Sequence, residues 1–392
     1  MAESATHRER PIVAPLSSYT DVKPVDRPSA TFVSLYAGAG GLDIGFALAG
    51  ARPVWVSELD RDALDTHEAT LRFLSESRPH LGGANWQARG GDILALEDDE
   101  LPVEGSADLV IGGPPCQGFS VAGKMDPNDA RSQHVFHFMD VVERVKPRAF
   151  LLENVKALYA NSRWASIRDE LVRRAQALGY STQLTLANAA DYGVPQARER
   201  MFLIGIRHGE QKAPVELIPT TAEKRPTVRD AFAELPSYGA PGNDAFCTAK
   251  ITVAKAPVLR KSPFAGMLFN GAGRPLNIDA PAMTLPASMG GNKTPIVDQA
   301  WLDDAQRDSW LHSFHGQLWG RTANDSPVSA DVPEEFRRIT VQEAAALQTF
   351  PTGMPWRGGR SSRFKQIGNA VPPRLGLAAA RAILRALGRE SA

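Results

Sequence analysis

A loop rich in glycine and proline carries Cys116, one of the two cysteines in the chain. The loop, residues 112–120, reads GGPPCQGFS. Its prolines stiffen the backbone, and its glycines let the backbone lie close to a substrate. A structural thiol is usually buried in a packed core. Because four Gly and Pro residues precede Cys116, we expect its thiol to be exposed and preorganised, as a nucleophile must be.

Two further polar strings are candidates for the same site. Glu153, in the string Glu153-Asn154-Val155, directly follows a predicted buried strand. A carboxylate at a strand end with apolar neighbours has a raised pKa and can donate a proton, although alone it can equally be a solvated loop residue. Arg198 and Arg200 occupy alternate positions of one face before a later strand. This spacing fits a base carbonyl or a phosphate, and the alternative is a salt-bridged strand edge.

A glycine cluster, Gly38, Gly40 and Gly41, follows the first predicted strand and is typical of a nucleotide-binding turn. Glu58 ends the second predicted strand, where an acid commonly accepts hydrogen bonds from ribose hydroxyls. Asp92, in the string Gly91-Asp92-Ile93, could bind an adenine amino group at the end of a third strand. The alternatives are a plain tight turn for the glycines and a turn aspartate for Asp92.

These candidates follow strands because short β-rich runs alternate with helix-like stretches through the first half of the chain. The pattern predicts strands at residues 31–36, 53–57, 108–111, 149–152 and 201–206, and helices at 42–48, 63–74 and 135–145. Such alternation is typical of an α/β fold with a mostly parallel, doubly wound sheet. In that fold the carboxyl ends of the strands face the ligand crevice.

Changes in composition and periodicity along the sequence divide the chain into four parts. Residues 1–29 lack periodicity and are predicted to be a mobile leader, and residues 30–206 form the catalytic and ligand-binding domain. Residues 207–364 are rich in Pro and Gly, with a clear helical period only at 340–347, and are expected to form a smaller, irregular recognition domain. Residues 365–392 carry an Ala- and Leu-rich helix at 376–387 that is expected to return to the first domain.

Composition and charge narrow the class of protein. A hydrophobic content of 43% and a charged content of 22% are typical of a globular protein. The absence of a long apolar run or a signal peptide predicts a cytoplasmic protein, and two cysteines exclude a disulfide framework. The chain has 44 basic and 44 acidic residues, but residues 331–392 hold 10 basic and 5 acidic ones. A polyanionic partner is therefore expected at the later part of the chain.

In order and spacing, these blocks resemble the C5-cytosine DNA methyltransferase family. That family carries a Phe-x-Gly-x-Gly-Gly loop, a Pro-Cys-Gln loop, Glu-Asn-Val and Gln-x-Arg-x-Arg. Its late blocks are matched here by residues 338–343 (RITVQE), 347–351 (LQTFP) and 366–373 (QIGNAVPP). The resemblance covers about residues 30–385. One departure is Tyr36, where the family usually has phenylalanine, although a tyrosine ring can still cover an adenine.

The resemblance implies a Rossmann-like, S-adenosylmethionine-dependent methyltransferase fold with a smaller target-recognition domain. It implies that the Cys116 thiolate adds to C6 of a flipped cytosine, while Glu153 protonates or hydrogen-bonds N3 and the exocyclic amine. Arg200 is expected to hold the O2 edge, and Arg198 to support the loop or a phosphate. No metal is expected, because the methyl group is already activated as a sulfonium.

The resemblance also suggests binding residues for the cofactor and for double-stranded DNA. The cofactor is expected to contact Tyr36, Gly38, Gly40, Gly41, Glu58, Asp92, Ile93, Pro115, Asn369 and Val371. DNA is expected to contact Gln117 and Ser120 beside the nucleophile, and Arg260, Lys261, Thr284, Asn292 and Lys293 in the recognition region. For Arg260, Lys261, Asn292 and Lys293 a solvated loop is the alternative. The protein is expected to be a monomer. It is expected to act either as a solitary methylase or in a restriction-modification system with a cognate restriction endonuclease.

Two rival hypotheses stay open at this point. An RNA cytosine methyltransferase would share the catalytic blocks, but the tRNA branch carries a Cys-Phe-Thr string where this chain has Phe246-Cys247-Thr248. A DNA-binding module that has lost its activity would share the fold, but Cys116, Glu153 and Arg200 are intact. His312 and His315 form a His-x-x-His string, which is more typical of a structural pair than of a metal site.

Overall fold

The computed structural model describes residues 19–81, 86–115, 133–221, 223–320 and 330–390. The strands in these ranges are β1 (Ala30–Leu35), β2 (Ala51–Glu58), β3 (Gln87–Gly90), β4 (Leu109–Gly112), β5 (Ala149–Val155), β6 (Tyr180–Asn188), β7 (Gln196–Ala197), β8 (Glu199–Arg207), β9 (Val253–Val258), β10 (Met267–Phe269), β11 (Ala282–Met283), β12 (Ile296–Asp298) and β13 (Phe336–Arg338). The α-helices are α1 (Gly41–Leu48), α2 (Arg61–Ser75), α3 (His134–Val145), α4 (Lys156–Ala160), α5 (Ala165–Ala177), α6 (Val228–Phe232), α7 (Gln299–Asp303), α8 (Trp310–Trp319), α9 (Val341–Leu347), α10 (Arg360–Asn369) and α11 (Pro373–Ala386).

A seven-stranded sheet forms the centre of the fold, with the strand order β3-β2-β1-β4-β5-β8-β6. Strands β1 to β5 run parallel, so the predicted mostly parallel, doubly wound α/β fold is confirmed. Strand β8 lies antiparallel between β5 and β6, a reversal that the sequence pattern did not predict. The strand order changes direction between β1 and β4, so the loops that follow these two strands diverge and open a crevice.

The strands nearest the crevice are buried on both faces. All residues of β4 and the first six of β5 are buried, which explains why these strands read as continuous apolar runs instead of alternating patterns. Helix α3 covers one face with Val135, Phe138 and Val142. On the other face, Leu375 and Ile383 of α11 pack in one core with strands and helices of the first half of the chain. The ends of β4 and β5 are therefore held between two apolar layers.

The region after Arg207 contains short elements in place of a second large sheet. Strands β9 and β10 pair antiparallel, as do β12 and β13, while β11 pairs with β7. Phe269, Phe314 and Phe336 belong to a small separate core beside helix α8. Other parts of the region share one core with α1 and α2. Helix α10 runs across the boundary predicted at residue 364.

The end of the predicted leader is packed against the fold. Tyr19 and Val22 are 2% and 3% exposed, and Arg78 donates hydrogen bonds to both of their carbonyl oxygens. The Tyr19 hydroxyl donates to the carbonyl of Thr349, and Asp21 forms an ion pair with Arg374. The prediction of a mobile leader is therefore wrong for residues 19–22, because a buried aromatic ring and the Asp21–Arg374 ion pair anchor this stretch. Residues 1–18 lie outside the described residues.

Among the described residues, no helix has the length and apolar character needed to cross a membrane.

Candidate active site

A cavity of about 440 Å³ opens at the carboxyl ends of β1, β2, β4 and β5. It lies at the point where the strand order reverses, as expected for a ligand crevice in a doubly wound sheet. Of the residues predicted to bind or to react, those that line the cavity are Tyr36, Gly38, Gly41, Glu58, Asp92, Ile93, Pro115, Glu153, Arg200, Asn369 and Val371. Residues up to 335 positions apart in the chain thus meet at one edge of the sheet.

Glu153 and Arg200 form an ion pair in the cavity wall. Glu153 Oε1 lies 2.8 Å from Arg200 Nε, and both side chains are almost fully buried. Arg200 reaches Glu153 because β8 runs antiparallel to β5, which pairs Arg200 with Val155. Burial raises the pKa of the Glu153 carboxyl, and the guanidinium groups of Arg200 and Arg198 oppose that rise. A carboxyl in this state can hold a proton at a pH at which an ordinary glutamate has lost it.

The loop after β4 is held against Glu153 by two close contacts. A Cβ added to Gly113 would lie 2.8 Å from Glu153 Oε2, so any larger residue would displace this carboxylate. The Asn154 side chain donates a hydrogen bond to the carbonyl oxygen of Pro114 over 3.2 Å. Asn154, in the middle of the Glu-Asn-Val string, thus fixes the loop, a role that the sequence interpretation did not give it.

Pro115 is the last described residue before the predicted nucleophile. It lines the cavity, and the chain resumes its described course at Gln133. Cys116, Gln117 and Ser120 lie outside the described residues. Their roles stay predictions, and they gain support only from the position of Pro115 in the cavity wall.

Glu58 and Gly38 build the opposite side of the cavity. The Gly38 N–H donates to Glu58 Oε2 and the Asp60 N–H donates to Oε1, each over 2.8 Å. Each carboxylate oxygen can accept a further hydrogen bond, so Glu58 keeps capacity for ligand hydroxyls. Gly38 has a φ of +57°, and a Cβ added to it would meet no atom within 4 Å. The turn therefore leaves open space above Gly38 for a ligand.

Gly40 and Gly41 serve packing within the protein, which differs from the expected approach to a ligand. A Cβ on Gly40 would lie 2.6 Å from the His67 ring, and one on Gly41 would lie 2.1 Å from the Val371 carbonyl oxygen. His67 is fully buried and contacts Asp43 Oδ2 through Nε2 over 2.7 Å. Gly41 still lines the cavity, whereas Gly40 is absent from its lining. The prediction that Gly40 contacts the cofactor is therefore not supported by its position.

Arg198 lies away from the cavity, in contrast to Arg200. It is 1% exposed, and its guanidinium donates to the carbonyl oxygens of Gly368 (2.9 Å), Leu285 (3.4 Å) and Asn369 (3.4 Å). The two guanidinium groups were predicted on one face, with Arg198 supporting the loop or a phosphate, but Arg198 precedes β8 and turns its side chain into the core. Arg198 instead joins the recognition region to the carboxyl end of α10.

The residues predicted to read DNA differ in how firmly the fold holds them. Arg260, Lys261, Asn292 and Lys293 are exposed. Thr284 is also exposed, but its hydroxyl donates to the Ala197 carbonyl oxygen over 2.9 Å. The next residue, Leu285, donates its N–H to Gln196 Oε1. The Thr284-Leu285 pair therefore attaches the recognition region to β7, and the Thr284 hydroxyl is already engaged within the protein.

The two histidines of the His-x-x-His string have structural contacts. His315 Nε2 donates to the Arg260 carbonyl oxygen over 2.9 Å. His312 packs edge-on against the rings of Phe264 and Trp301. In the part of the chain that the structure describes, no cluster of three or more potential metal-ligating side chains occurs.

The structure adds cavity residues that the sequence interpretation missed. His134 lines the cavity at the start of α3, one residue before the helix predicted at 135–145. Lys365 and Gln366 also line it from α10, and Lys365 Nζ lies 2.7 Å from Asp60 Oδ2. Gln366 belongs to the late block at 366–373, which was a signal for its position. Nothing in the sequence pattern indicated His134.

Comparisons with known proteins identify the family and the fold. A family model described as C-5 cytosine-specific DNA methylase matches residues 30–385. The Type II methyltransferase M1.HphI of Haemophilus parahaemolyticus is 31% identical over 371 residues, which cover 91% of this chain and 87% of that protein. The Type II methyltransferase M.PspPI of Psychrobacter sp. is 33% identical over 365 residues, covering 92% and 80%. The S. pombe Dnmt2 methyltransferase has a similar fold, with a TM-score of 0.59 at 15% identity, over 91% of this chain and 98% of that one.

Proposed function

The chain belongs to the family of C-5 cytosine-specific DNA methylases, and on that premise we propose that it methylates C5 of a cytosine flipped out of a specific duplex DNA sequence. The observation that carries this proposal is the buried Glu153–Arg200 ion pair beside the Pro-Pro loop that leads to Cys116. The pair places a carboxyl with a raised pKa and a guanidinium donor at one rim of a single cavity. These two groups suit the N3 and O2 edge of a cytosine.

S-adenosylmethionine is the methyl donor of this family, and the other side of the cavity fits it. The open space above Gly38, the Glu58 carboxylate and the pair Asp92-Ile93 provide a backbone turn, an acceptor for hydroxyls and an edge for a purine ring. When bound, this cofactor supplies a methyl group activated as a sulfonium. Asn369 and Val371 close the cavity from the carboxyl-terminal segment.

We assign the chemistry at the base to three side chains. Cys116 adds to C6 as a thiolate, which makes C5 nucleophilic. Once C5 carries the methyl group, a base or water removes the C5 proton and the Cys116 thiolate leaves C6. Glu153 protonates or hydrogen-bonds N3 as the thiolate adds, so that negative charge does not accumulate on the ring. Arg200 holds the Glu153 carboxyl in place and donates to the O2 edge. Arg198 is a positioning residue, since its hydrogen bonds go to backbone carbonyls in the core.

The partners follow from the family and stay proposals in their details. Double-stranded DNA is the substrate, and the exposed residues Arg260, Lys261, Asn292 and Lys293 are our candidates for contacts with it. The relatives are Type II methyltransferases. We therefore propose that this chain is a cytoplasmic monomer that acts either in a restriction-modification system with a cognate endonuclease or as a solitary methylase.

The test is to express the chain and a Cys116→Ser variant in a bacterial host without cytosine methylation and to sequence the bisulfite-treated DNA. We expect protected cytosines in one sequence context for the wild type and none for Cys116→Ser. Turnover of the variant should fall on the order of 10⁴-fold or more, the scale seen when a nucleophile is removed. Its affinity for S-adenosylmethionine should stay nearly unchanged, because the thiol serves the base.

Two in vitro measurements separate the rival hypotheses. A duplex containing 5-fluorocytosine should trap a covalent adduct with the wild type, and failure to trap one would favour a DNA-binding module without activity. In parallel, labelled methyl transfer to duplex DNA and to tRNA should label only the DNA. Label found in tRNA alone would contradict the proposed substrate.

A further inference from the structure

A hydrogen bond joins Tyr36 and His134 in the cavity wall. The Tyr36 hydroxyl lies 3.1 Å from His134 Nδ1 and 3.4 Å from the His134 carbonyl oxygen. Their rings meet edge to face, with centroids 5.4 Å apart. Both residues line the cavity, Tyr36 from the turn after β1 and His134 from the first position of α3. Tyr36 also stands where the family usually has phenylalanine, which keeps the ring but cannot make this bond.

The contact engages Nδ1 of the histidine ring, and which of the two groups donates depends on the tautomer of the ring. When the Tyr36 O–H donates to Nδ1, the imidazole proton must lie on Nε2. In the described ranges of the chain, no group forms a hydrogen bond with His134 Nε2, and the residue is only partly buried. With Tyr36 as the donor, His134 Nε2 therefore presents an unused N–H donor on a residue of the cavity wall.

The surroundings keep this ring uncharged at neutral pH. Burial lowers the pKa of His134, and the nearby Asp92 carboxylate opposes that shift only in part. Burial also lowers the pKa of His137 on the same helix, with Asp140 and Asp92 opposing. The pKa of Tyr36 is raised, by burial and by Asp92 and Asp140, so its hydroxyl stays protonated. An uncharged His134 ring at this point of the wall does not repel a cationic sulfonium ligand.

We propose that Tyr36 and His134 act as a positioning pair for the cofactor, in which Tyr36 holds His134 as the neutral Nε2–H tautomer and that N–H donates to bound S-adenosylmethionine. The inference rests on the proposed function and deepens its cofactor site. It assigns the tyrosine at position 36 a second task besides ring contact. It also explains why a polar side chain at position 134 is accommodated in the wall of a binding cavity.

The test combines cofactor binding with histidine NMR. Calorimetry with S-adenosylmethionine and with the uncharged thioether S-adenosylhomocysteine would be run from pH 5.5 to 8.5 on wild type, Tyr36→Phe, His134→Leu and the double variant. Tyr36→Phe should weaken both ligands about three- to tenfold at pH 8, the scale of one lost hydrogen bond. The double variant should bind no more weakly than His134→Leu, because the two residues act as one unit.

The pH series and the NMR spectra report on the tautomer directly. Wild-type affinity for S-adenosylmethionine should fall only as pH drops below the ordinary histidine range, because protonated His134 repels the sulfonium, and S-adenosylhomocysteine should show a smaller fall. In ¹⁵N spectra of the ligand-free protein, His134 Nδ1 should appear unprotonated. In Tyr36→Phe, the ¹⁵N chemical shifts of both His134 ring nitrogens should move toward the averaged values of a mixture of tautomers.

Tyr180→Phe is the matched control, because it removes a hydroxyl that donates over 2.8 Å to the Pro147 carbonyl oxygen away from the cavity. It should leave both affinities and the His134 spectrum unchanged. If wild type methylates DNA but Tyr36→Phe binds the cofactor like wild type with the same tautomer, this inference fails and the proposed function stands. If wild type does not bind S-adenosylmethionine at all, both fail.

Discussion

The cavity and the proposed DNA-contacting residues of the recognition region, residues 207–364, hold their polar side chains in opposite ways. Around the cavity, Glu153, Arg200 and Glu58 are fixed by short contacts to partners on other elements. In the recognition region, Arg260 and Lys293 are exposed and carry side chains in open loops. The first arrangement suits bond-making chemistry, which requires fixed geometry, whereas the second suits a surface that adapts to a long polyanion.

The difference follows from what supports each part. The cavity lies at the ends of strands that are buried on both faces, so its loops start from fixed positions. The recognition region has strands of two to six residues and a small separate core. Buried contacts set the position of the catalytic groups. The short elements of the recognition region, by contrast, tolerate changes in the side chains that would contact DNA bases. Substitutions in the two regions are therefore expected to differ in kind and in size.

Among substitutions at the described residues of these two regions, the largest effect is expected for Glu153→Gln. The amide cannot supply a proton, and we expect kcat to fall about 10²- to 10³-fold, within the usual range for a general acid. Because burial raises the pKa of Glu153, wild-type kcat/KM should fall as pH rises through that pKa, and the variant should lack this fall. Glu199→Gln is the control, since its carboxylate pairs with Lys156 near the surface. Equal losses of kcat in the two variants would show that Glu153 is not the general acid.

Arg198→Lys should lower the free energy of unfolding more than it lowers the methylation activity. An ammonium cannot reach the three carbonyl oxygens that the guanidinium holds, so we expect a loss of about 2–3 kcal/mol in the free energy of unfolding. The measurement is thermal and denaturant unfolding. The comparison is Arg200→Lys, which should lose more activity and less stability because Arg200 lies in the cavity wall. The reverse pattern would show that Arg198 reaches the substrate after all.

Glu58→Ala should weaken S-adenosylmethionine binding about tenfold or more and leave DNA affinity unchanged. The change removes the acceptor for the Gly38 and Asp60 N–H groups, so the turn loses its shape as well as a carboxylate for the ligand. Calorimetry with the cofactor and a DNA-binding titration check the two parts. Glu68→Ala on α2, a partly buried residue that forms an ion pair with Arg72, serves as the control. An unchanged cofactor affinity would argue against the assignment of this side of the cavity to the cofactor.

The smallest effect is expected for Lys293→Ala in the recognition region. Loss of one phosphate contact should weaken DNA binding about two- to fivefold and lower the salt slope by about one. Cofactor affinity and melting temperature should not change, since the side chain is exposed. Lys146→Ala, an exposed lysine at the end of α3 paired with Glu104, should leave DNA binding unaltered. An unchanged salt slope for Lys293→Ala would place DNA elsewhere on this region.

Much of the first half of the fold was predictable from local pattern. The strands at 31–36, 149–152 and 201–206 correspond to β1, β5 and β8, and the helix at 135–145 corresponds to α3. These segments are continuous apolar runs or have a helical period, both of which are local signals. Strand β6 was not predicted. The antiparallel course of β8 was not predicted either, because strand direction depends on pairing between distant segments. The recognition region resisted prediction since its elements are short and lack periodicity.

The chain's amino acids alone identify the family, the nucleophile candidate and the carboxylate candidate, because these lie in contiguous strings whose residue types carry the chemistry. Folding decides which members of a string reach the cavity: Arg200 enters its wall while Arg198, two positions earlier, binds backbone carbonyls 87 to 171 residues away. Folding likewise brings Tyr36 to His134 across 98 positions. Such contacts depend on strand direction and on packing between distant segments, neither of which a local pattern of residues encodes.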